Sequence, residues 1–116
     1  MNSLKKQFSS LKGKEFKEIY NSGTKIVTPY FVIFLKKASE FKVGVIASKK
    51  IGNAVKRNKA KRRLREIVRL SQLDISRNLW IVLIARKPVL AANFNEMKTL
   101  FIQKVNNVSK DKQNNR

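Results

Sequence analysis

Apolar positions recur at helical spacing in three stretches and at strand spacing in three others. Over residues 14–21, Phe16, Ile19 and Tyr20 stand at i, i+3, i+4 and predict a first helix. Gly23 follows where a helix C-terminus favours a residue tolerant of positive φ. "KIVTPYFVIFLKK" reads as one strand or as two short ones divided near Pro29, and "FKVGVIASK" as another. Their connection, Lys37 to Glu40, is short enough for a hairpin. Gly52 breaks the pattern, and Asn53 is placed to N-cap a helix over 54–70. "LWIVLIARK" is a buried strand ended by Pro88, and a last helix starts after Asn93, with Glu96 completing an N-x-x-E box. Phe94, Met97, Phe101, Val105 and Val108 form the inner face of that helix.

The predicted order is α-β-β-β-α-β-α, an α/β (α+β) two-layer sandwich with no internal repeat. The chain, 1–116, reads as a single domain with loose ends at about 1–10 and 109–116. Strand alternation adds detail: Phe31, Ile33 and Leu35 point one way, and Tyr30, Val32 and Phe34 the other. Both faces are apolar. The second and third helices can cover one of them. The short first helix only partly covers the other, leaving a groove floored by Val32 and Phe34 and walled by Phe16 and Tyr20. The alternative for these aromatics is ordinary core, as expected for Phe31, Trp80, Phe94 and Phe101.

Charge changes the picture most. With 27 Lys and Arg against 7 Asp and Glu, the formal net charge is +20, which calls for a polyanionic partner, nucleic acid first. The excess concentrates in "SKKIGNAVKRNKAKRRLREIVRL", Ser48 to Leu70, where Glu66 is the sole acid. At 100° per residue Ala60, Leu64, Ile67 and Val68 form an apolar stripe. Asn58, Arg62, Arg65 and Arg69 form a second stripe opposite, and Lys56, Lys59, Lys61 and Arg63 fill in between. An ordinary solvated helix interleaves acids with its bases for i, i+4 support, and this one does not. Five of the eight arginines fall between Arg57 and Arg69. Guanidinium grips phosphate bidentately where ammonium acts as a point charge. A membrane-surface helix fits less well, because the apolar stripe lacks Trp and Phe and is committed to the core.

Composition excludes several chemistries. There is no cysteine and no histidine, and apart from the Glu15/Glu18 pair the acids are scattered singly, so thiol chemistry, His-based catalysis and carboxylate-held two-metal cleavage all lack their parts. No stretch approaches the roughly 20 apolar residues of a membrane span, and the start lacks a signal-peptide core. A soluble, cytoplasmic protein is the expectation.

Several ordered blocks resemble one family. "KVGVIASKKIGNAVKRNKAKRRLRE" is similar to the signature of the bacterial ribonuclease P protein subunit: a strand ending in Ser-Lys-Lys, a Gly-Asn turn, then a helix opening with an Arg-Asn-Arg motif. "EFKEIYNSG" upstream and "WIVLIARKP" downstream extend the likeness. Here Arg57-Asn58-Lys59 ends the motif in lysine, which keeps charge and loses bidentate geometry, and Gly13 stands where a better helix N-cap is expected.

The resemblance implies a subunit of a ribonucleoprotein whose RNA is the catalyst, removing the 5′ leader of precursor tRNA with Mg²⁺ held mainly by RNA. It implies contact with the catalytic RNA for Arg57, Asn58, Lys59, Lys61, Arg62, Arg65 and Arg69, joined by Lys49 and Lys50, and a leader-binding cleft at Phe16, Tyr20, Val32 and Phe34. It assigns no catalytic or metal-ligating residue to the protein. It also implies a left-handed βαβ crossover, against the right-handed rule followed in roughly 98% of cases. A structural RNA-binding protein, such as a small ribosomal protein, shares the size, charge and build.

Overall fold

The computed structural model describes residues 9–71 and 78–114. The elements are β1 (Ser9–Ser10), α1 (Gly13–Ser22), β2 (Thr24–Val27), β3 (Phe31–Lys37), β4 (Lys42–Ile46), α2 (Ala54–Leu70), β5 (Leu79–Ala85) and α3 (Phe94–Asn114), with short 3-10 turns at Lys49–Ile51 and Lys87–Leu90. The order expected from the sequence is present, with the two-residue β1 ahead of it. Ser9 and Ser10, placed in the loose N-terminal end by the sequence reading, pair with Lys42 and Val43. At the other end α3 continues through Asn114. Residues 1–8 and 115–116 lie outside the described residues.

The sheet order is β1-β4-β5-β3-β2. The hairpin expected between β3 and β4 does not form. β5 lies between them, antiparallel to β3 and parallel to β4. The physical reason is burial: Trp80, Ile81, Val82, Leu83 and Ala85 are buried, and such a strand belongs at the centre, where both sheet faces are covered. The four residues from Ala38 to Phe41 then cross two strand spacings, about 10 Å, which is within their extended reach. The hairpin that does form joins β2 to β3. Thr28 pins its turn, donating through Oγ1 to the Phe31 carbonyl (2.7 Å) and accepting from the Tyr30 and Phe31 amides (3.2 and 3.1 Å).

Crossover handedness follows from one hydrogen bond. With β4 rising and α2 toward the viewer, an L-residue whose side chain points forward directs its own N–H and C=O to the right. Val43 packs with the α2 stripe, and its carbonyl accepts from the Leu11 amide (3.3 Å). So β1 lies to the right of β4, and β5, on the opposite flank, to its left. A chain that rises through β4, descends through α2 in front and rises again on the left makes a left-handed crossover, the rare hand.

One face of the sheet carries the main core. Phe31, Ile33, Leu35, Val43, Ile81 and Leu83 meet Ala60, Leu64, Ile67 and Val68 of α2 and Met97, Phe101 and Val105 of α3. On the opposite face α1 lies across the strands through Ile19, which packs with Leu11, Trp80 and Val82. Phe16 sits directly over Gly44, where a Cβ would come within 2.5 Å of the ring. Gly23 has an ordinary φ of −84°, contrary to the left-handed conformation expected for it. Space is the reason for glycine there, since a Cβ would stand 2.6 Å from the Ile19 carbonyl and 2.9 Å from that of Leu35.

Gly13 opens α1 without a side-chain cap of its own, and Glu15 compensates by accepting from the Lys12 amide (2.8 Å). The same carboxylate takes an ion pair from Lys42 on β4 (2.6 Å), and Glu40 stands 3.4 Å from the same ammonium. This lysine, and secondarily the Lys12 amide, holds the Glu15 carboxyl below the ordinary value of 4.5. A depressed carboxyl contributes stability above its unfolded value and loses it as pH falls through the folded one. Stability measured by urea denaturation is therefore expected to fall from about pH 4.5 downward, and to fall less steeply in Glu15→Gln; identical acid limbs would remove the pair from the account.

Candidate nucleic-acid interface

The basic helix is presented by the turn before it. Ser48 Oγ accepts from the Lys50 amide (3.3 Å), Gly52 reverses the chain at φ 140°, and Asn53 Oδ1 caps α2 by accepting from the Lys56 amide (3.0 Å). Only glycine adopts that φ without strain. Lys49 and Lys50 are exposed on this turn and continue the cationic surface of α2 past its N-terminus.

Within α2 the structure divides the cations into two groups. Asn58, Lys59, Arg62 and Arg65 are exposed and Lys61 half-buried, and among the described residues none of the four cations has a hydrogen-bond or ion-pair partner. Lys56 belongs with them. Three arginines are engaged inside the protein. Arg57 donates to the Gly52 carbonyl (2.7 Å), bracing the turn. Arg63 donates to the Ala92 carbonyl (2.5 Å) and lies 5.9 Å over the Phe94 ring, so it ties α2 to the start of α3. Arg69 pairs with Glu66 one turn back, which raises its pKa and dilutes its charge at the end of the stripe. Arg62 and Arg65, with Lys56, Lys59 and Lys61, remain as the cations of α2 without a partner among the described residues.

The second surface lies on the α1 face of the sheet. Phe16, Tyr20 and Phe34 come together as expected, with ring centroids 6.2 Å apart for the first pair and 5.0 Å, edge to face, for the second. Tyr20 is 39% exposed, and partial burial raises its phenol pKa. Val32 lies beside them as predicted. Strand register adds residues that periodicity alone did not find: Val27, Val32, Ile84 and Ile46 form one row across β2, β3, β5 and β4. None of the four is fully buried, and Val27 is 57% exposed, so α1 leaves this row open. Lys25, in register with Phe34, stands exposed at the outer rim. Arg86, exposed at the end of β5, is fixed there by donating to the Thr28 carbonyl (2.9 Å). Ile84 and Ile46 were legible as apolar strand residues, but which face is left bare depends on where α1 crosses.

Among the described residues no three acids gather to hold a metal ion, and Glu15 and Glu40 are already neutralised by Lys42. These side chains do not fit a resident Mg²⁺. Nor is any helix among the described residues long and apolar enough to cross a membrane.

A basic α+β fold with an acid-poor arginine helix on one face and a half-open aromatic cleft on the other defines a small protein that partners RNA. The chain belongs to the ribonuclease P protein family, whose model matches residues 4–109. It is 38% identical over 96 residues to the ribonuclease P protein component of Exiguobacterium, covering 81% of this chain and 83% of that one. Identity to the Listeria innocua component is 36% over 117 residues, covering 97% and 98%. The RNase P protein of Staphylococcus aureus superimposes with a TM-score of 0.70 at 29% identity, over 84% of this chain and 94% of the other.

The split among the arginines is measurable in the protein alone. Arg63→Ala is expected to lose about 1–3 kcal/mol by urea denaturation, as one charge-assisted hydrogen bond and a ring contact are removed. Arg62→Ala is expected to change stability by less than about 0.5 kcal/mol. Equal effects would erase the distinction between anchoring and free arginines.

Proposed function

We propose that the protein is the protein subunit of ribonuclease P, assisting endonucleolytic removal of the 5′ leader of precursor tRNA by a catalytic RNA in the cytoplasm. The observation that carries this is the free cationic face of α2 and its leading turn, with an aromatic cleft on the opposite face of the same sheet, in a chain matched by the family along almost its whole length. Arg57, Asn58, Lys59, Lys61, Arg62, Arg65, Arg69, Lys49 and Lys50 serve the catalytic RNA, with Arg62 and Arg65 as direct phosphate ligands and Arg57 chiefly bracing the turn. Phe16, Tyr20, Val32 and Phe34 take the single-stranded leader, its bases stacking on rings and its phosphates facing the rim lysines.

Chemistry resides in the RNA. The protein lacks histidine, and among the described residues no acids gather into a metal cage, which fits a reading in which the RNA does the chemistry. Mg²⁺ is bound mainly by RNA, and the cations of α2 lower the phosphate repulsion that Mg²⁺ would otherwise have to screen. Product tRNA has no leader, so the cleft contact disappears on cleavage and release is favoured. Reconstitution tests the whole: added to the catalytic RNA and precursor tRNA at low Mg²⁺, the protein is expected to stimulate leader removal. Absence of stimulation would overturn it.

Two variants examine its halves. Arg62→Ala is expected to reduce the log–log salt slope of RNA binding by about 0.7–0.9, and Arg69→Ala by less, because Glu66 already shares that charge. Unchanged slopes in both would remove α2 as the contact surface. Tyr20→Ala is expected to weaken precursor binding about five- to tenfold while leaving mature tRNA unaffected, the size of one lost stacking contact. Equal loss for both RNAs would return the protein to the class of structural RNA binders.

A further inference from the structure

The two surfaces are joined at one point on the sheet edge. β1 pairs with Lys42 and Val43 only, and after Leu11 donates to the Val43 carbonyl the chain turns off into α1. Along a strand, backbone groups alternate in direction, so Val45, like Val43, turns its N–H and C=O to the outer edge. Among the described residues no strand lies beside them there. A notch of about 190 Å³ opens at this place, lined by Ser10, Leu11, Phe16, Val43, Gly44, Val45 and Arg65. Phe16 reaches it from the cleft face of the sheet and Arg65 from the α2 face. Gly44 keeps the Phe16 ring close to the strand, since any larger residue would push it off.

These are the three elements a single unpaired nucleotide uses. A ring offers a stacking surface, a guanidinium without an acidic partner offers a phosphate clamp, and an open strand edge offers one donor and one acceptor side by side to the polar edge of a base. We propose that the notch is a one-nucleotide subsite at which the leader turns around the sheet edge. The strand passes from the catalytic-RNA surface at Arg65, seats one base between Phe16 and the Val45 peptide groups, and runs on into the cleft toward Tyr20 and Phe34. The inference rests on the cleft being the leader site. It assigns Arg65 to the leader as well as to the helix face, and it makes the protein sensitive to base identity at one leader position through main-chain atoms. A charge of +20 over the chain and the acid-free rim of the notch favour RNA over a peptide strand at this edge.

The test uses the reconstituted holoenzyme and precursor tRNAs in which leader nucleotides are replaced, one at a time, by an abasic residue or by a nonpolar base isostere that stacks but cannot hydrogen-bond. At one position the wild type is expected to lose about tenfold in precursor affinity with the abasic residue and part of that with the isostere. In Arg65→Ala and in Phe16→Ala the penalty at that position is expected to shrink below about twofold, while penalties at other positions persist in Arg65→Ala. Arg65 is exposed and without a partner, so its variant is expected to fold, as circular dichroism would verify. If Arg65→Ala weakens precursor and mature tRNA alike and every abasic penalty stays at its wild-type value, the notch is not a leader subsite, and the cleft reading stands on Tyr20. If the wild type shows no leader dependence anywhere, the cleft reading and the subsite fall together.

Discussion

What the protein can offer a partner depends on one stripe of α2. Ala60, Leu64, Ile67 and Val68 are buried against the sheet and α3, and the three larger side chains contribute about 1.5–3 kcal/mol each by leaving water. Like charges at i, i+4 on the opposite side destabilise by only about 0.2–0.5 kcal/mol per pair. The stripe therefore outweighs the repulsion, and the outward face is released from any need to support the helix. It can carry cations without acids, a pattern that would not persist on an isolated helix of this length.

The second constraint is the central place of β5. By separating β4 from β3 it brings the C-terminal ends of β4 and β5 to one end of the sheet, beside the β2–β3 turn. The Ser48–Gly52 turn, Arg86 and the open row of Val27, Val32, Ile84 and Ile46 are gathered there together. In a direct β3–β4 hairpin β4 would still end beside the β2–β3 turn, but β5 would not lie between β3 and β4, and the row of Val27, Val32, Ile84 and Ile46 would not run in that order across the sheet. The left-handed crossover belongs to this arrangement, since β1 occupies the flank that a right-handed return from α2 would use.

Much of this was legible beforehand, and for identifiable reasons. Helix α2 carries its own apolar periodicity, its Asn53 cap and its Gly52 break, all local signals, so its limits and buried edge were read directly. Two-sided apolarity of β3 foretold a partly covered second face and brought Phe16, Tyr20, Val32 and Phe34 together. Strand order was not legible, because a four-residue connection permits either a hairpin or a jump over one strand, and the deciding factor is burial of a strand some forty residues later. The fates of Arg57, Arg63 and Arg69 were not legible either. Helical spacing gives direction, but whether an arginine is spent on a carbonyl, as Arg63 is on Ala92, depends on where the next element docks. Gly23 shows the same limit: a helix-end glycine suggests positive φ, while crowding by the distant Leu35 carbonyl is what requires it.

Two surfaces on one small domain are also what discrimination demands. In the proposed function, phosphate contacts along α2 would act on any RNA that fits the helix, so they would raise affinity for precursor and product together and could not separate them. A difference would arise only from contacts one of the two RNAs lacks, and on the proposed reading that part is the single-stranded leader. Aromatic rings suit that part, because stacking needs an unpaired base, whereas a further row of lysines would be met equally by the phosphates of the mature tRNA. On that proposal the placement of free arginines on one face and half-exposed rings on the other would divide general affinity from specificity, and the open edge of β4 would be where the two act on one strand.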